Sequence, residues 1–109
     1  MKIYISGPIT GLPYQEARAK FCWAEEIIRQ AGHTAINPTD LPKGLTWGVY
    51  MQIACSIIGS GEPDAIYMME GWRESRGSMI EWLMARAMKI QTLYEEEEDR
   101  RVWGGEKCI

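Results

Sequence analysis

The sequence has no excess of basic residues and no long apolar run. The first absence argues against a nucleic-acid polymer as partner, and the second argues against a membrane-spanning helix. Lys and Arg number 12 against 15 Asp and Glu, which gives a formal net charge of −3. A nucleic-acid polymer is therefore not the expected partner. No apolar stretch approaches the roughly 18 residues of a membrane-spanning helix. Strand-like residues begin at Lys2, so we predict no secretory leader, no membrane partner and a cytoplasmic protein.

Cysteine and histidine are also scarce. Cys22, Cys55 and Cys108 are widely spaced and form no C-x-x-C pair, which favours reduced thiols over disulfides or zinc. The one histidine, His33, begins a predicted strand and is not expected to be catalytic. We therefore predict no metal site, and we expect no cofactor.

The 109 residues alternate between strand-like and helix-like segments, which suits one domain. Alternation of this kind predicts an α/β fold with parallel strands and helices on both faces. We expect a flavodoxin-like three-layer sandwich with strand order 2-1-3-4 and a ligand site at the switch between strands 1 and 3. Strands are predicted at 2–6, 33–37, 64–69 and 90–94, and helices at 14–31, 47–58 and 79–88.

Two further expectations concern the third helix and the end of the chain. We expect the third helix to bury Ile80, Leu83, Met84, Ala87 and Met88. Residues 1–94 form the predicted domain, and 95–109 are predicted to be an acidic tail that is solvated or frayed. The alternative is that 102–103 and 108–109 dock on the domain or on a neighbouring subunit.

Two loops leave the sheet at the predicted switch point. The first offers Gly7, Ile9, Thr10 and Gly11 for wrapping a small ligand, although it lacks a P-loop signature and is equally compatible with a plain turn. The second offers Ser75, Gly77 and Ser78 before a helix N-terminus, where a phosphate or carboxylate binds well. A simple capping loop explains the second segment equally well.

Glu81 and Trp72 each admit two interpretations. Ser78-x-x-Glu81 fits a capping box, which the spacing alone favours. A carboxylate at the mouth of the switch-point cleft could instead attack an anomeric carbon, as glycosidic chemistry requires. Trp72 either packs over its loop or stacks on a base. Asp64 opens a strand at the far end of the sheet and is expected to be structural, whereas Asp40, Glu70 and Glu74 lie at the correct end.

Three blocks of sequence together resemble the nucleoside 2-deoxyribosyltransferase-like superfamily, particularly its small bacterial and phage members. They are residues 3–9 with Thr10 and Gly11, residues 64–69, and the segment Gly71-Trp72-Arg73-Glu74-Ser75-Arg76-Gly77-Ser78-x-x-Glu81. The order and spacing of these blocks extend over roughly 1–94. The resemblance implies a flavodoxin-like fold and N-glycosidic chemistry on nucleosides or nucleotides, with no cofactor.

The resemblance also implies roles for individual residues. Glu81 matches a nucleophilic glutamate that forms a covalent ribosyl intermediate, and Tyr4 matches the tyrosine beside it. Ser75 stands where the transferases carry Asp and where related 2′-deoxynucleoside 5′-monophosphate N-glycosidases carry Ser, which favours a phosphorylated ligand and hydrolysis. Because a neighbouring subunit usually completes such sites, a homodimer or higher homo-oligomer is expected.

One departure from the family pattern limits the catalytic prediction. The second helix of family enzymes carries an Asp that helps to hold the substrate, but residues 54–57 are Ala-Cys-Ser-Ile. Either Cys55 or Ser56 replaces it poorly, or the protein binds nucleotides without turning them over. A non-catalytic nucleotide-binding or sensing protein is therefore the alternative function.

Overall fold

A computed structural model describes residues 1–106 as one sheet covered by helices. The strands are β1 Lys2–Ser6, β2 Thr34–Ile36, β3 Ala65–Met68 and β4 Gln91–Tyr94. The helices are α1 Tyr14–Gln30, α2 Trp47–Gly59, α3 Arg76–Ala87 and α4 Glu97–Trp103, with short 3₁₀ turns at Pro38–Asp40 and Trp72–Glu74. Within residues 1–106, every helix is too short or too polar to cross a bilayer.

The sheet is parallel with strand order β2-β1-β3-β4, which confirms the predicted α/β fold and its switch point. Tyr4 pairs with Ile36 on one side and with Ile66 on the other, so β1 is the central strand of the site. Ser6 pairs with Met68, and the backbone N–H of Met69 donates to the Ser6 carbonyl at 2.9 Å. The loops that follow β1 and β3 therefore leave the sheet side by side.

Alternation along β1 decides which side chains can reach the site. Ile3 and Ile5 point to the face covered by α1, where they pack with Phe21 and other buried residues. Tyr4 points to the opposite face, where it packs with residues of α2 and α3. Ser6 lies two residues after Tyr4, so its side chain points to the same face of the sheet. The end of β1 therefore presents two hydroxyls beneath α3.

The buried face of α3 differs from the prediction except at Met84, which is half-buried and packs against the core. Ile80, Leu83 and Met88 are 36%, 56% and 43% exposed, and Ala87 is exposed as well. The residues that face the core are instead Ser78, Glu81, Trp82 and Ala85. The prediction was wrong because it selected the apolar stripe, whereas the orientation of α3 places a carboxylate and a hydroxyl against the sheet. The helix also begins at Arg76, before the predicted start at residue 79.

Residues 97–103 form a helix that is attached to the domain, so the predicted solvated tail is wrong for this segment. Asp99 is 2% exposed, and its Oδ2 accepts a hydrogen bond from Trp72 Nε1 at 3.0 Å. Trp103 packs edge-on against Trp82 with ring centroids 5.1 Å apart, which confirms docking for this residue. Val102 is 60% exposed and does not dock. Residues 108–109 lie outside the described part of the chain.

Asp99→Ala should destabilise the fold because it leaves the indole N–H of Trp72 buried without an acceptor. A loss of about 1–3 kcal/mol in the free energy of unfolding is expected, measured by urea denaturation. Asp99→Asn keeps an acceptor oxygen and should lose less. Glu98→Ala, at an exposed position of the same helix, is the control. Equal stability of Asp99→Ala and Glu98→Ala would show that α4 does not depend on this contact.

Candidate functional site

Glu81 is a buried carboxylate held by two hydroxyls of β1. It is 2% exposed, and its Oε2 accepts from the Tyr4 hydroxyl at 2.7 Å while Oε1 accepts from Ser6 Oγ at 2.6 Å. The N-cap of α3 is Ser75, whose Oγ accepts from the Ser78 N–H at 3.3 Å. The capping-box interpretation is therefore wrong: Glu81 lies beyond the first turn, where backbone N–H groups already have partners within the helix.

The surroundings of Glu81 place its titration near neutral pH. Burial raises the pKa of Glu81 to about 7, while the hydrogen bonds from Ser6 and Tyr4 act in the opposite direction. Burial, followed by the charge of Glu81, raises the pKa of Tyr4 well above its usual value. Tyr4 therefore stays protonated and donates to the carboxylate, which has ionised and neutral forms of similar population near pH 7.

Tyr50 and Ser6 belong to the site although neither was predicted as a site residue. The Tyr50 side chain lies beside Tyr4, and burial together with the charge of Glu81 raises the pKa of its hydroxyl. From the sequence, Tyr50 is simply one of the apolar positions of the second helix, which gives no sign of a place in the site. Ser6 could have been found, because it ends β1 on the same face as Tyr4.

A small cavity opens directly beside Glu81. It is lined by most of the predicted site residues, together with Trp47 and Tyr50: Gly7, Ile9, Thr10, Trp47, Tyr50, Ser75, Gly77, Ser78 and Glu81. Tyr4 is 1% exposed and lies behind Glu81 rather than on the cavity wall. Gly11 does not line it; its φ of +87° instead marks the turn of the first loop. The two switch-point loops thus meet over one carboxylate.

Glycine is needed where the first loop passes β3. A side chain at Gly7 would place its Cβ 3.0 Å from both Cβ and Sδ of Met69. That separation is below van der Waals contact, so a larger residue would push the loop away from the sheet. Gly7 therefore acts through close packing of the backbone, which keeps the loop over the site.

The N-terminus of α3 offers an anion-binding position beside Glu81. Ser78 is 1% exposed and lines the cavity, and its buried Oγ has no hydrogen-bond partner among residues 1–106. Buried hydroxyls without partners are uncommon, and helix N-termini attract negative charge. The guanidinium of Arg76 lies 4.3 Å from the centroid of the Trp47 ring, and Arg73 approaches Asp99 at 3.5 Å. Arg73 therefore has its partner outside the small cavity, whereas Arg76 contacts Trp47, a residue of the cavity wall, without lining the cavity itself.

A larger cavity of about 280 Å³ adjoins the first and shares Ile9, Thr10, Trp47 and Tyr50 with it. Its remaining wall is formed by Tyr14 of α1 and by the segment between β2 and α2. These residues are Pro38, Thr39, Leu41, Pro42, Lys43, Gly44 and Leu45. The combined space has the mostly apolar lining, with a few convergent polar groups, that is typical of small-molecule sites.

Trp72 does not reach either of these cavities. Its ring is 1% exposed, packs 5.1 Å from that of Trp82, and its only donor is used by Asp99. The hypothesis of a base contact is therefore inconsistent with this conformation, and the packing alternative describes Trp72 correctly. Asp64 accepts from the Lys2 N–H at 2.8 Å at the opposite end of the sheet, which agrees with the structural role predicted for it.

The remaining acidic candidates lie outside both cavities, and of the two residues that could replace the missing Asp in α2 only one lies near Glu81. Asp40 pairs with Arg18 outside the cavities, and Glu70 and Glu74 line neither of them. In α2, burial and then the charge of Glu81 raise the pKa of the half-buried Cys55 thiol. Ser56 is exposed and donates to the Gln52 carbonyl at 2.8 Å. No group of three metal-binding side chains occurs within residues 1–106.

Residues 1–94 match the profile of one protein family, described as "Domain of unknown function (DUF4406)". The chain belongs to the DUF4406 family. Comparisons with curated proteins and with solved structures found no match. The DUF4406 match includes every residue that lines the two cavities, together with Tyr4 and Ser6, whereas α4 lies beyond it.

The stability of this DUF4406 protein should depend on the titration of Glu81. Since the pKa of Glu81 is higher in the folded state than its usual value of 4.5, the folded state binds the proton more tightly. The contribution of Glu81 to the free energy of unfolding is therefore greatest below about pH 4.5. It falls as pH rises towards 7 and does not recover at higher pH. The total change is about 3 kcal/mol.

Glu81→Gln removes this dependence and should therefore gain stability relative to the unmodified protein as pH rises from 5 to 8. The measurement is urea denaturation at several pH values, with the exposed Glu97→Gln as control. A parallel pH dependence for the Glu81 variant and the unmodified protein would contradict an elevated pKa.

Proposed function

We propose that this DUF4406 protein binds a nucleoside or nucleoside 5′-monophosphate and cleaves its N-glycosidic bond. The (deoxy)ribosyl group is hydrolysed or transferred through a covalent intermediate on Glu81. The observation that carries the proposal is a buried carboxylate held by the hydroxyls of Tyr4 and Ser6 at the wall of a cavity. The resemblance to the nucleoside 2-deoxyribosyltransferase-like superfamily supports the same chemistry.

In the proposed reaction, ionised Glu81 attacks the anomeric carbon of the sugar. The new bond joins a carboxylate oxygen to that carbon as the bond from carbon to base nitrogen breaks, and the electron pair leaves with the base. The base takes a proton from solvent. Water, or an acceptor base, then displaces the carboxylate and restores Glu81.

The pKa of Glu81 suits this role better than a fully buried carboxylate without donors would. Tyr4 and Ser6 offset part of the effect of burial, so a substantial fraction of Glu81 is ionised at pH 7. Their two hydrogen bonds also fix both carboxylate oxygens, and a carboxylate held in one orientation loses less entropy on reaching the transition state.

The N-terminus of α3 supports a 5′-phosphate in the proposed complex. Ser75, Gly77 and Ser78 line the cavity with Glu81, and Ser78 Oγ has no hydrogen-bond partner among the described residues. A phosphate there would receive a hydrogen bond from Ser78 and lie near the positive end of the helix dipole. The proposed ligand therefore carries negative charge on its sugar.

Base release from 2′-deoxynucleoside 5′-monophosphates tests the catalytic proposal. Chromatography should detect free base with the unmodified protein, and Glu81→Ala should lower kcat by at least about a thousandfold because the nucleophile is lost. kcat should rise with pH until about 7, where Glu81 becomes ionised. Tyr4→Phe should move that rise to higher pH, since its hydrogen bond lowers the pKa of Glu81. Equal release by Glu81→Ala and the unmodified protein would overturn the proposal.

Ser78→Ala tests the anion position separately from the chemistry. Removal of a buried hydroxyl without a partner should leave the free energy of unfolding equal or higher, by up to about 1 kcal/mol. Affinity for a nucleoside monophosphate should fall about tenfold, while affinity for the nucleoside without phosphate should hardly change. Calorimetry measures both affinities, with the exposed Ser56→Ala as control. Equal weakening of both ligands would argue against phosphate at this position.

A non-catalytic nucleotide-binding or sensing protein is the second candidate function. The absence of an acid at 54–57 of α2 favours it, because the family resemblance implies a substrate-holding Asp there. Cys55 lies on the side of Glu81 but keeps its proton, since burial raises the pKa of its thiol. Tight nucleotide binding without base release would select this function.

We also propose a homodimer or higher homo-oligomer in the cytoplasm. The exposed apolar side chains Ile80, Leu83 and Met88 lie on α3, the helix that carries Glu81. Cys22 and Cys55 are free thiols, as expected in a reducing compartment. Light scattering coupled to size-exclusion chromatography tests the oligomeric state, and a monomer at all concentrations would refute it.

A further inference from the structure

The larger cavity has the dimensions and the lining of a site for a flat aromatic ring. Its volume is about 280 Å³, and Tyr14, Trp47 and Tyr50 contribute aromatic rings to its wall. Two of these residues also border the Glu81 cavity: Trp47 and Tyr50. A nucleotide whose sugar lies beside Glu81 would therefore place its base here. The inference below rests on the proposed function and adds base selectivity to it.

The polar groups that already have partners cannot discriminate between bases. The Tyr14 hydroxyl donates to the Thr39 carbonyl at 3.2 Å. The Thr39 hydroxyl donates to Asn37 Oδ1 at 2.6 Å and accepts from Arg18 Nη1 at 3.0 Å. The hydroxyls of Thr10 and Tyr50 can donate or accept, so they favour neither kind of base.

The remaining side-chain donor on the wall is Lys43. Its Nζ lies 4.3 Å from the centroid of the Tyr14 ring, and it is the one formal charge on the lining. Within residues 1–106, this ammonium donates to no side-chain or backbone acceptor. The indole Nε1 of Trp47 lies 3.6 Å from where a Cβ at Gly77 would be, so its N–H belongs to the side of the Glu81 cavity.

Carboxylates do not line this cavity. Asp40 is the nearest acid along the chain to Lys43, but it forms an ion pair with Arg18, and both residues border a different cavity. An exocyclic amino group placed beside Lys43 would therefore face an ammonium, with no carboxylate to accept its hydrogens. Two donors that face each other are unfavourable, so a base with an amino group at that position is disfavoured.

We propose that this cavity selects nucleobases with a carbonyl oxygen at pyrimidine position 4 or purine position 6, such as uracil and hypoxanthine, over bases with an amino group at that position, such as cytosine and adenine. Lys43 is the specificity residue: its ammonium, which lies over the Tyr14 ring, donates to the carbonyl oxygen. Ring stacking against the aromatic wall serves both classes of base equally.

Two matched ligand pairs isolate the contribution of the base. dUMP and dCMP share sugar, phosphate and ring size and differ chiefly by carbonyl against amino, and dIMP and dAMP provide the same comparison for purines. Calorimetry on the full chain should show dUMP and dIMP binding at least about tenfold more tightly than dCMP and dAMP. In Lys43→Met both ratios should fall towards one. Lys20→Met, which removes an exposed lysine of α1 outside this cavity, should leave them unchanged.

Inorganic phosphate and deoxyribose 5-phosphate serve as ligands without a base. If Lys43→Met weakens these two as much as it weakens dUMP, Lys43 contacts phosphate and the inference is overturned. Equal affinity for the members of each pair, or tighter binding of dCMP and dAMP, also overturns it. Tighter binding of dUMP and dIMP without release of free base supports the inference. That result would contradict only the catalytic step of the proposed function. No binding by any of the four nucleotides overturns both the inference and the proposed function.

Discussion

The geometry of this protein depends on the paired hydrogen bonds from Tyr4 and Ser6 to the Glu81 carboxylate. A bare carboxylate between a sheet and a helix would be strongly unfavourable, and these two hydroxyls make its burial possible. The same contacts fix the rotation of α3 about its axis. As a result the apolar residues Ile80 and Leu83 face outward while Glu81 and Ser78 face the sheet. The polar contact and the buried Trp82 and Ala85 orient the helix, and the stripe that contains Ile80 and Leu83 does not.

The fold could be predicted from the sequence because strand and helix alternate cleanly, with glycine or proline near most boundaries. Parallel pairing followed from this alternation, and the 2-1-3-4 order was expected as the flavodoxin-like arrangement of such strands. The core face of α3 could not be predicted in this way, because periodicity counts apolar residues and treats every Glu as exposed. The same limit led to a solvated tail, since one acid among five turns inward to meet Trp72.

Much of the candidate site could be predicted because parallel strands bring the loops at their carboxyl ends together. Gly7, Ile9, Thr10, Ser75, Gly77, Ser78 and Glu81 line one cavity. Tyr50 and Trp47 could not be found, because aromatic residues at helical spacing are usually part of the core. Their role depends on how α2 packs against α3, where Gly77 permits an approach in which a Cβ would lie 3.1 Å from Met51 Sδ. Local sequence carries little information about such packing.

The contacts of α4 with the domain show that the packed part of the chain extends beyond the family match. The family match ends at residue 94, but two residues of α4 contact the domain. The indole N–H of Trp72 donates to Asp99, and the ring of Trp103 packs against that of Trp82. Trp72 opens the turn that leads directly into Ser75 and the start of α3. A chain cut at the family boundary would therefore expose aromatic surface to water and loosen the loop that borders the carboxylate. A sequence family records what its relatives share, and in this protein the packed contacts continue beyond that shared part.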